Sequence, residues 1–161
     1  MVLLTRQDVS NDMSAAPNDR DFKDRKVRSV MVVDDDVELA MIYKELLGSQ
    51  GYTVSVAPDG VEALKEIMRT ELDAIICDML MPHMAGDMFY LAVERVKPHL
   101  CNRFIFITGY QGNPKIEAFL KKVNGVVLYK PVTLGKLLGT LNVLEKKLMD
   151  GPGGAAGAKK K

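Results

Sequence analysis

No tryptophan occurs in the 161 residues, cysteine and histidine appear only twice each, and 22 Lys and Arg nearly balance 21 Asp and Glu. Each scarcity removes a class of function. Cys77 and Cys101 cannot build the disulfide framework of a small secreted domain, and two thiols fit a reducing compartment. A net charge of +1 gives no basic excess to favour nucleic acid as the main partner. No apolar run approaches the ~18 residues of a membrane span. Met1-Val2-Leu3-Leu4 turns polar at Thr5, too soon for the apolar stretch of a secretion signal. The expectation is a cytoplasmic protein with no nucleic-acid and no membrane partner. A hydrophobic fraction of 47% is enough to form the core of one domain.

Both ends look unlike the middle. Residues 5–28 follow neither a helical nor a strand period and are dense in Asp, Asn, Arg and Ser, so residues 1–28 read as a flexible arm. Residues 150–161, Gly- and Ala-rich and closing on Lys159–Lys161, read as a flexible tail. The folded domain is expected over 29–149. Six basic and five acidic side chains in 1–28, and the three terminal lysines, leave that body mildly acidic.

Within it, short apolar runs alternate with helix-spaced stripes. Val30–Val33, Thr53–Ala57, Ala74–Cys77, Phe104–Ile107 and Val126–Tyr129 are five predicted strands, most of them too uniformly apolar to have a wet face. The first helix is read from Val37, Ala40, Met41, Lys44 and Leu47, and the second from Val61, Leu64, Ile67 and Met68. The third runs from about Gly86 to Val96, with Met88, Leu91, Ala92 and Val96 inward. The fourth starts at Asn113-Pro114, a capping side chain followed by an N1 proline. The fifth starts after Thr133 and carries Leu134, Leu137, Leu138, Leu141, Leu144 and Leu148 on one face. Such alternation predicts an α/β fold: a five-stranded parallel sheet with helices on both faces, doubly wound in the flavodoxin-like manner.

Ligands of such sheets bind beyond the carboxyl ends of the strands. Those ends carry Asp34 and Asp35 on the first strand, Asp78 on the third, Thr108 on the fourth and Lys130 on the fifth. Three clustered carboxylates repel one another unless a cation is shared, and Mg²⁺ takes oxygen ligands of this kind. Cys77 precedes Asp78 and points to the opposite side of the strand, so it offers no base. Neither GxxxxGK[ST] nor GxGxxG occurs. What the set can do is let one carboxylate attack phosphorus while cation, ammonium and hydroxyl hold the equatorial oxygens. Asp78, alone on the central strand, is the candidate nucleophile. Asp36 reads as the cap of the first helix, His83 and His99 as solvated loop residues, and Met79, Met81, Met84 and Met88 as core more than contact surface.

The stretches VMVVDDD (30–36), IICDMLMP (75–82), FITGY (106–110) and LYKP (128–131) resemble the receiver domain of bacterial response regulators, the CheY-like family. Spacings of 43 residues from Asp35 to Asp78, 30 more to Thr108 and 22 more to Lys130 match that family too. The resemblance covers about residues 28–149. It implies that Asp78 accepts a phosphoryl group from a histidine kinase or phosphotransfer protein. It implies Mg²⁺ held by Asp35, by Asp34 largely through water, by Asp78 and by the backbone carbonyl of Leu80. Thr108 and Lys130 would contact the phosphoryl group and pass the change to the face of the fourth helix, fifth strand and fifth helix, where a downstream protein would dock. A phosphorylation-dependent dimer is a further expectation.

The chain also departs from the pattern. Where the family usually has Tyr or Phe, three residues before Lys130, this sequence has Val127, with Tyr129 at the same strand parity. Leu80 and Tyr110 stand where the family borders the attacking water, and neither offers a carboxylate or amide to orient it. With only fourteen residues past Lys147, the expected module has no output domain of its own and signals by docking. The alternatives are a receiver module of a hybrid histidine kinase, a pseudo-receiver that only binds partners, and a metal-dependent phosphatase of the haloacid-dehalogenase type. The last is disfavoured by Glu38, which stands where that family wants Thr or Val. In none of the favoured readings is the chain a turnover enzyme on an external substrate.

Overall fold

The computed structural model describes residues 2–3, 27–109, 112–123 and 125–150. The remainder of the expected arm (Met1 and residues 4–26), the expected tail beyond Asp150, and Tyr110 lie outside the described residues.

One sheet organises the chain. Its strands are β1 (Val2–Leu3), β2 (Ser29–Val33), β3 (Thr53–Ala57), β4 (Ala74–Asp78), β5 (Phe104–Thr108) and β6 (Val126–Tyr129), in the order β1-β6-β5-β4-β2-β3. Every pairing is parallel. Between them run α1 (Val37–Ser49), α2 (Gly60–Ile67), α3 (Gly86–Val96), α4 (Pro114–Val123) and α5 (Leu134–Asp150), with a 3₁₀ turn over Pro98–Arg103. The five expected strands and the parallel, two-faced architecture are present. The sheet also has a sixth strand, β1, inside the segment read as an arm. Two residues are too few to show a period, so only the pairing with β6 reveals it.

The helices start where the sequence places capping side chains. Asp36 Oδ1 accepts the Leu39 N–H at 3.1 Å and Asp59 Oδ1 the Glu62 N–H at 2.9 Å. Asn113 and Thr133 do the same for α4 and α5. Two cores result. One face of the sheet packs Val30, Val32, Ile76, Ile105 and Leu128 with Ala40, Tyr43 and Leu47 of α1 and Leu137, Leu141 and Leu144 of α5. The other packs Met31, Val33, Ile75, Phe104, Phe106 and Val127 with α2, α3 and α4.

In α1 and α2 the expected stripe is buried only in part, through Ala40 and Leu47 and through Ile67, and in α3 a different face turns inward. In α3 the buried residues are Gly86, Phe89, Tyr90 and Val93, whereas Met88, Leu91 and Val96 are exposed. In α1 Tyr43 joins Ala40 and Leu47 inside, leaving Val37 and Met41 outside, and in α2 Val61 and Met68 are likewise exposed. Two apolar stripes interleave in α3, and the aromatic one takes the inside because Phe89 and Tyr90 fill the gap above Phe104 at centroid distances of 5.7 and 5.1 Å.

On β5, Phe104 and Phe106 stack at 5.2 Å, and Phe119 of α4 meets Phe106 edge-on at 5.7 Å. Gly125 lies against this locked ring: a Cβ there would come within 2.6 Å of Phe106 Cε2. Gly125→Ala is therefore expected to destabilise the fold by about 1–3 kcal/mol, read from urea denaturation. Unchanged stability would contradict the packing described.

Candidate functional site

Because β2 and β4 are neighbours with Val33 opposite Cys77, the next residue of each, Asp34 and Asp78, emerges side by side. At this point the chain leaves β2 toward β3 on one side, while β4 lies on the other, the crevice where doubly wound sheets open. Asp34 and Asp78 are buried, at 2% and 5% exposure, while Asp35 is exposed. One carboxylate oxygen from each of the three lies within 4.8 Å of the others.

Backbone and side-chain bonds hold the acids in place. Asp34 Oδ1 accepts the Asp36 N–H at 2.9 Å, closing the turn into α1. Asp78 Oδ1 accepts the Leu80 N–H at 3.3 Å, and Asp78 Oδ2 accepts from Lys130 Nζ at 3.1 Å. Lys130 follows β6, and its N–H donates to Thr108 O at 2.9 Å, so the ends of β5 and β6 are tied together beside Asp78. Thr108 is buried and Leu80 is 44% exposed. All the expected site residues thus lie at the carboxyl ends of the strands, around Asp78. His83 and His99 are exposed, and His83 adopts a left-handed φ of 67° in the loop after Pro82. Cys77 is buried in the opposite core.

Electrostatics follow from crowding and burial. Burial first, then the charges of Asp78 and Asp35, raise the Asp34 carboxyl to about 6, against the opposing pull of the Asp36 N–H and of Lys130. Burial alone pushes the Lys130 ammonium down, but its bond to Asp78 and the charges of Asp78 and Asp34 outweigh this, and its pKa ends above the ordinary value. Burial, with Asp78 next, drives the Cys77 thiol well above its usual range, so it carries no thiolate chemistry. The three carboxylates make a set of hard oxygen donors that suits a divalent cation of the Mg²⁺ class.

Residues 30–142 match the response regulator receiver domain family. The chain belongs to this family.

This receiver is similar to the chemotaxis protein CheY4 of Vibrio cholerae, with a TM-score of 0.66 and 30% identity over 73% of this chain and 98% of that one. It is 32% identical over 122 residues to the sensor kinase CckA of Brucella abortus. It is 31% identical over 112 residues to a response regulator receiver protein of Anaeromyxobacter. The alignments take in 74% and 70% of this chain but only 13% of the kinase and 46% of the regulator. Relatives of this receiver therefore include both regulators and sensor kinases.

Two residues that the sequence reading left out of the site support it. A Cβ on Gly86 would come within 2.8 Å of Asp78 O and 2.9 Å of Met79 Cα, so only glycine lets α3 start this close beneath the acid. Tyr43 Oη donates to Val132 O at 3.3 Å, linking α1 to the segment that follows Lys130. Its spacing from Ala40 and Leu47 was the available signal; the gap beneath Asp78 that Gly86 fills has none in the sequence. Of the four methionines near Asp78, Met79 is core, Met81 and Met84 pack partly against it, and Met88 is exposed.

The raised pKa of Asp34 has a definite sign for stability. Between 3.8 and about 6 the folded receiver binds a proton that the unfolded chain has released, so the metal-free fold loses stability as pH rises through that window. Asp34→Asn removes the effect. Its stability relative to wild type should grow from near zero at pH 4 to about 2–3 kcal/mol in its favour above pH 6, measured by urea denaturation in chelator. A difference that does not change with pH would contradict the burial of this charge.

Proposed function

We propose that this receiver is the phosphoacceptor of a two-component or phosphorelay system, phosphorylated on Asp78 by a histidine kinase or phosphotransfer protein in a Mg²⁺-dependent reaction. The observation that carries this reading is the juxtaposition of Asp34, Asp35 and Asp78, with Lys130 bonded to Asp78. An Asp78 oxygen attacks phosphorus, the bond to the donor's imidazole nitrogen or acyl oxygen breaks, and the leaving group takes the electron pair. Bound Mg²⁺, held by Asp34, Asp35, Asp78 and the Leu80 carbonyl, would neutralise charge on the transferring group. Lys130 exchanges its partner from carboxylate to phosphoryl oxygen, and Thr108 contributes its hydroxyl from the end of β5.

Transfer of Lys130 from the Asp78 carboxylate to the phosphoryl group would shift the end of β6 and favour a second arrangement of the α4–β6–α5 face, where a downstream protein or a second copy docks. The module accepts a phosphoryl group and has no external substrate to turn over. Its setting would be cytoplasmic; among the described residues no helix is long and apolar enough to cross a membrane. A second reading, that the receiver is a module of a hybrid kinase, is favoured by its likeness to the sensor kinase CckA.

The decisive experiment is incubation with acetyl phosphate and Mg²⁺, read by intact mass. Wild type should gain one phosphoryl group, whereas Asp78→Asn and wild type in chelator should gain none. Absence of any gain in wild type, together with absent Mg²⁺ binding, would instead make the chain a pseudo-receiver.

The exposed Leu80 offers no polar atom from its side chain to orient an attacking water. The phosphoprotein should therefore lose its phosphoryl group slowly, and Leu80→Asn should shorten its lifetime. A wild-type half-life of seconds, unchanged in that variant, would refute this. Val127 is fully buried and Tyr129 packs partly against the same core, so switching should proceed without a single dominant aromatic flip. NMR of Tyr129 during titration with beryllofluoride is the check; one dominant ring flip would count against it.

A further inference from the structure

The apolar run Met1–Leu4 plays no part in the site, yet the sheet uses two of its residues. Val2 and Leu3 pair with Val126 and Val127 of β6. Without β1, β6 would be the outermost strand of the sheet, and an open strand edge recruits any extended chain that reaches it. That edge lies between two helices. Val127 faces the core under α4, whereas Val126 and Leu128 face the core under α5. Its donors can be assigned too. Lys130 N–H donates toward β5 at 2.9 Å, so strand alternation turns the Val126 and Leu128 amides toward β5 and the Val127 amide outward.

We infer that the outer edge of β6 is a strand-docking site, and that this chain's own Val2–Leu3 segment occupies it as an internal competitor of any other extended apolar segment. The edge sits at the centre of the α4–β6–α5 face, so docking there depends on release of β1. This consequence rests on the proposed function, whereas the docking site itself rests on the pairing alone. Covalent reach permits an internal occupant. β1 and β2 are separated by four strand spacings, ~19 Å, and residues 4–28 can span up to ~80 Å. A two-residue pairing contributes few hydrogen bonds, about 1 kcal/mol each. Its advantage is the millimolar-scale effective concentration that attachment to the same chain provides, enough to exclude weak competitors and to yield to strong ones.

Amide hydrogen exchange by NMR tests this on three proteins: the full chain, the chain lacking residues 1–5, and the full-length Val2→Asp/Leu3→Asp variant, since aspartate is disfavoured in strands. Val127 should exchange about tenfold faster in both variants, while Val126 and Leu128 stay protected. A synthetic peptide of residues 1–6, added at millimolar concentration, should slow Val127 exchange in the truncated chain and leave the full chain unchanged. The inference is overturned if Val127 exchange is the same in all three, or if Val126 and Leu128 lose protection equally. It is also overturned if the peptide acts on both chains alike or on neither, or if protection in the full chain falls on dilution, which would assign the strand to a second copy. None of these readouts needs phosphorylation, so a chain that fails to accept a phosphoryl group can still pass the test.

Discussion

Repulsion among three carboxylates whose oxygens lie within 4.8 Å of one another is the constraint around which this receiver is built. Two like charges at that distance cost roughly 3 kcal/mol at an effective dielectric constant near 20. The acids cannot relax apart, because the register of β2 on β4 places them together and the two buried cores hold that register. Lys130 offsets part of the repulsion at Asp78, and Asp34 meets the rest by holding its proton up to about pH 6. A divalent cation would relieve both. The fold therefore stores a demand for positive charge at one point, and any chemistry that changes the charge on Asp78 acts on a structure already under electrostatic load.

β6 is the element through which that load can travel. Its carboxyl end leads into Lys130, bonded to Asp78 by its side chain and to Thr108 by its backbone. Its amino end pairs with β1 at the sheet's outer edge. Four residues separate an ion pair in the crevice from a strand edge between two helices. Such a short strand has little room to absorb a displacement at one end without feeling it at the other. A shift of Lys130 would also pull on the segment that Tyr43 holds from α1 through Val132 O, which ties α1 to the end of β6. Coupling of this kind needs two populated arrangements of a packed element, not a wire of contacts.

The strands and their terminal acids were legible because a parallel strand buried on both faces is a plain apolar run, and the first charge after it marks its end. Val30–Val33 followed by Asp34, and Ala74–Cys77 followed by Asp78, are unambiguous in this sense. Helix faces were less so. In α3 the stripe of Met88, Leu91 and Val96 competes with that of Phe89, Tyr90 and Val93, and periodicity alone cannot rank them. Tertiary volume decides: the space above Phe104 takes rings, and methionine fits the solvent side at little cost. β1 was illegible for want of length. Gly86 was visible only as a helix start, since its role depends on a backbone carbonyl eight positions upstream.

The small residue at Val127 makes sense within the same accounting of volume. Val127 stands opposite Phe106 in the β5–β6 register, and Gly125 lies against that same ring. Phe106 is in turn wedged between Phe104, Tyr90 and Phe119. Large rings on β5 and α4 therefore meet small side chains on β6, the large-to-small alternation that close packing requires. An aromatic side chain at 127 would need space that Phe106 and Phe119 already fill, and overpacking of this order costs about 1–3 kcal/mol. With the interior closed to a moving ring, the aromatic left on β6 is Tyr129, half-buried at the rim and adjacent in sequence to Lys130. A change in the partner of Lys130 would therefore reach Tyr129, at the solvent-facing rim of the core beneath α4, before the closed interior around Phe106.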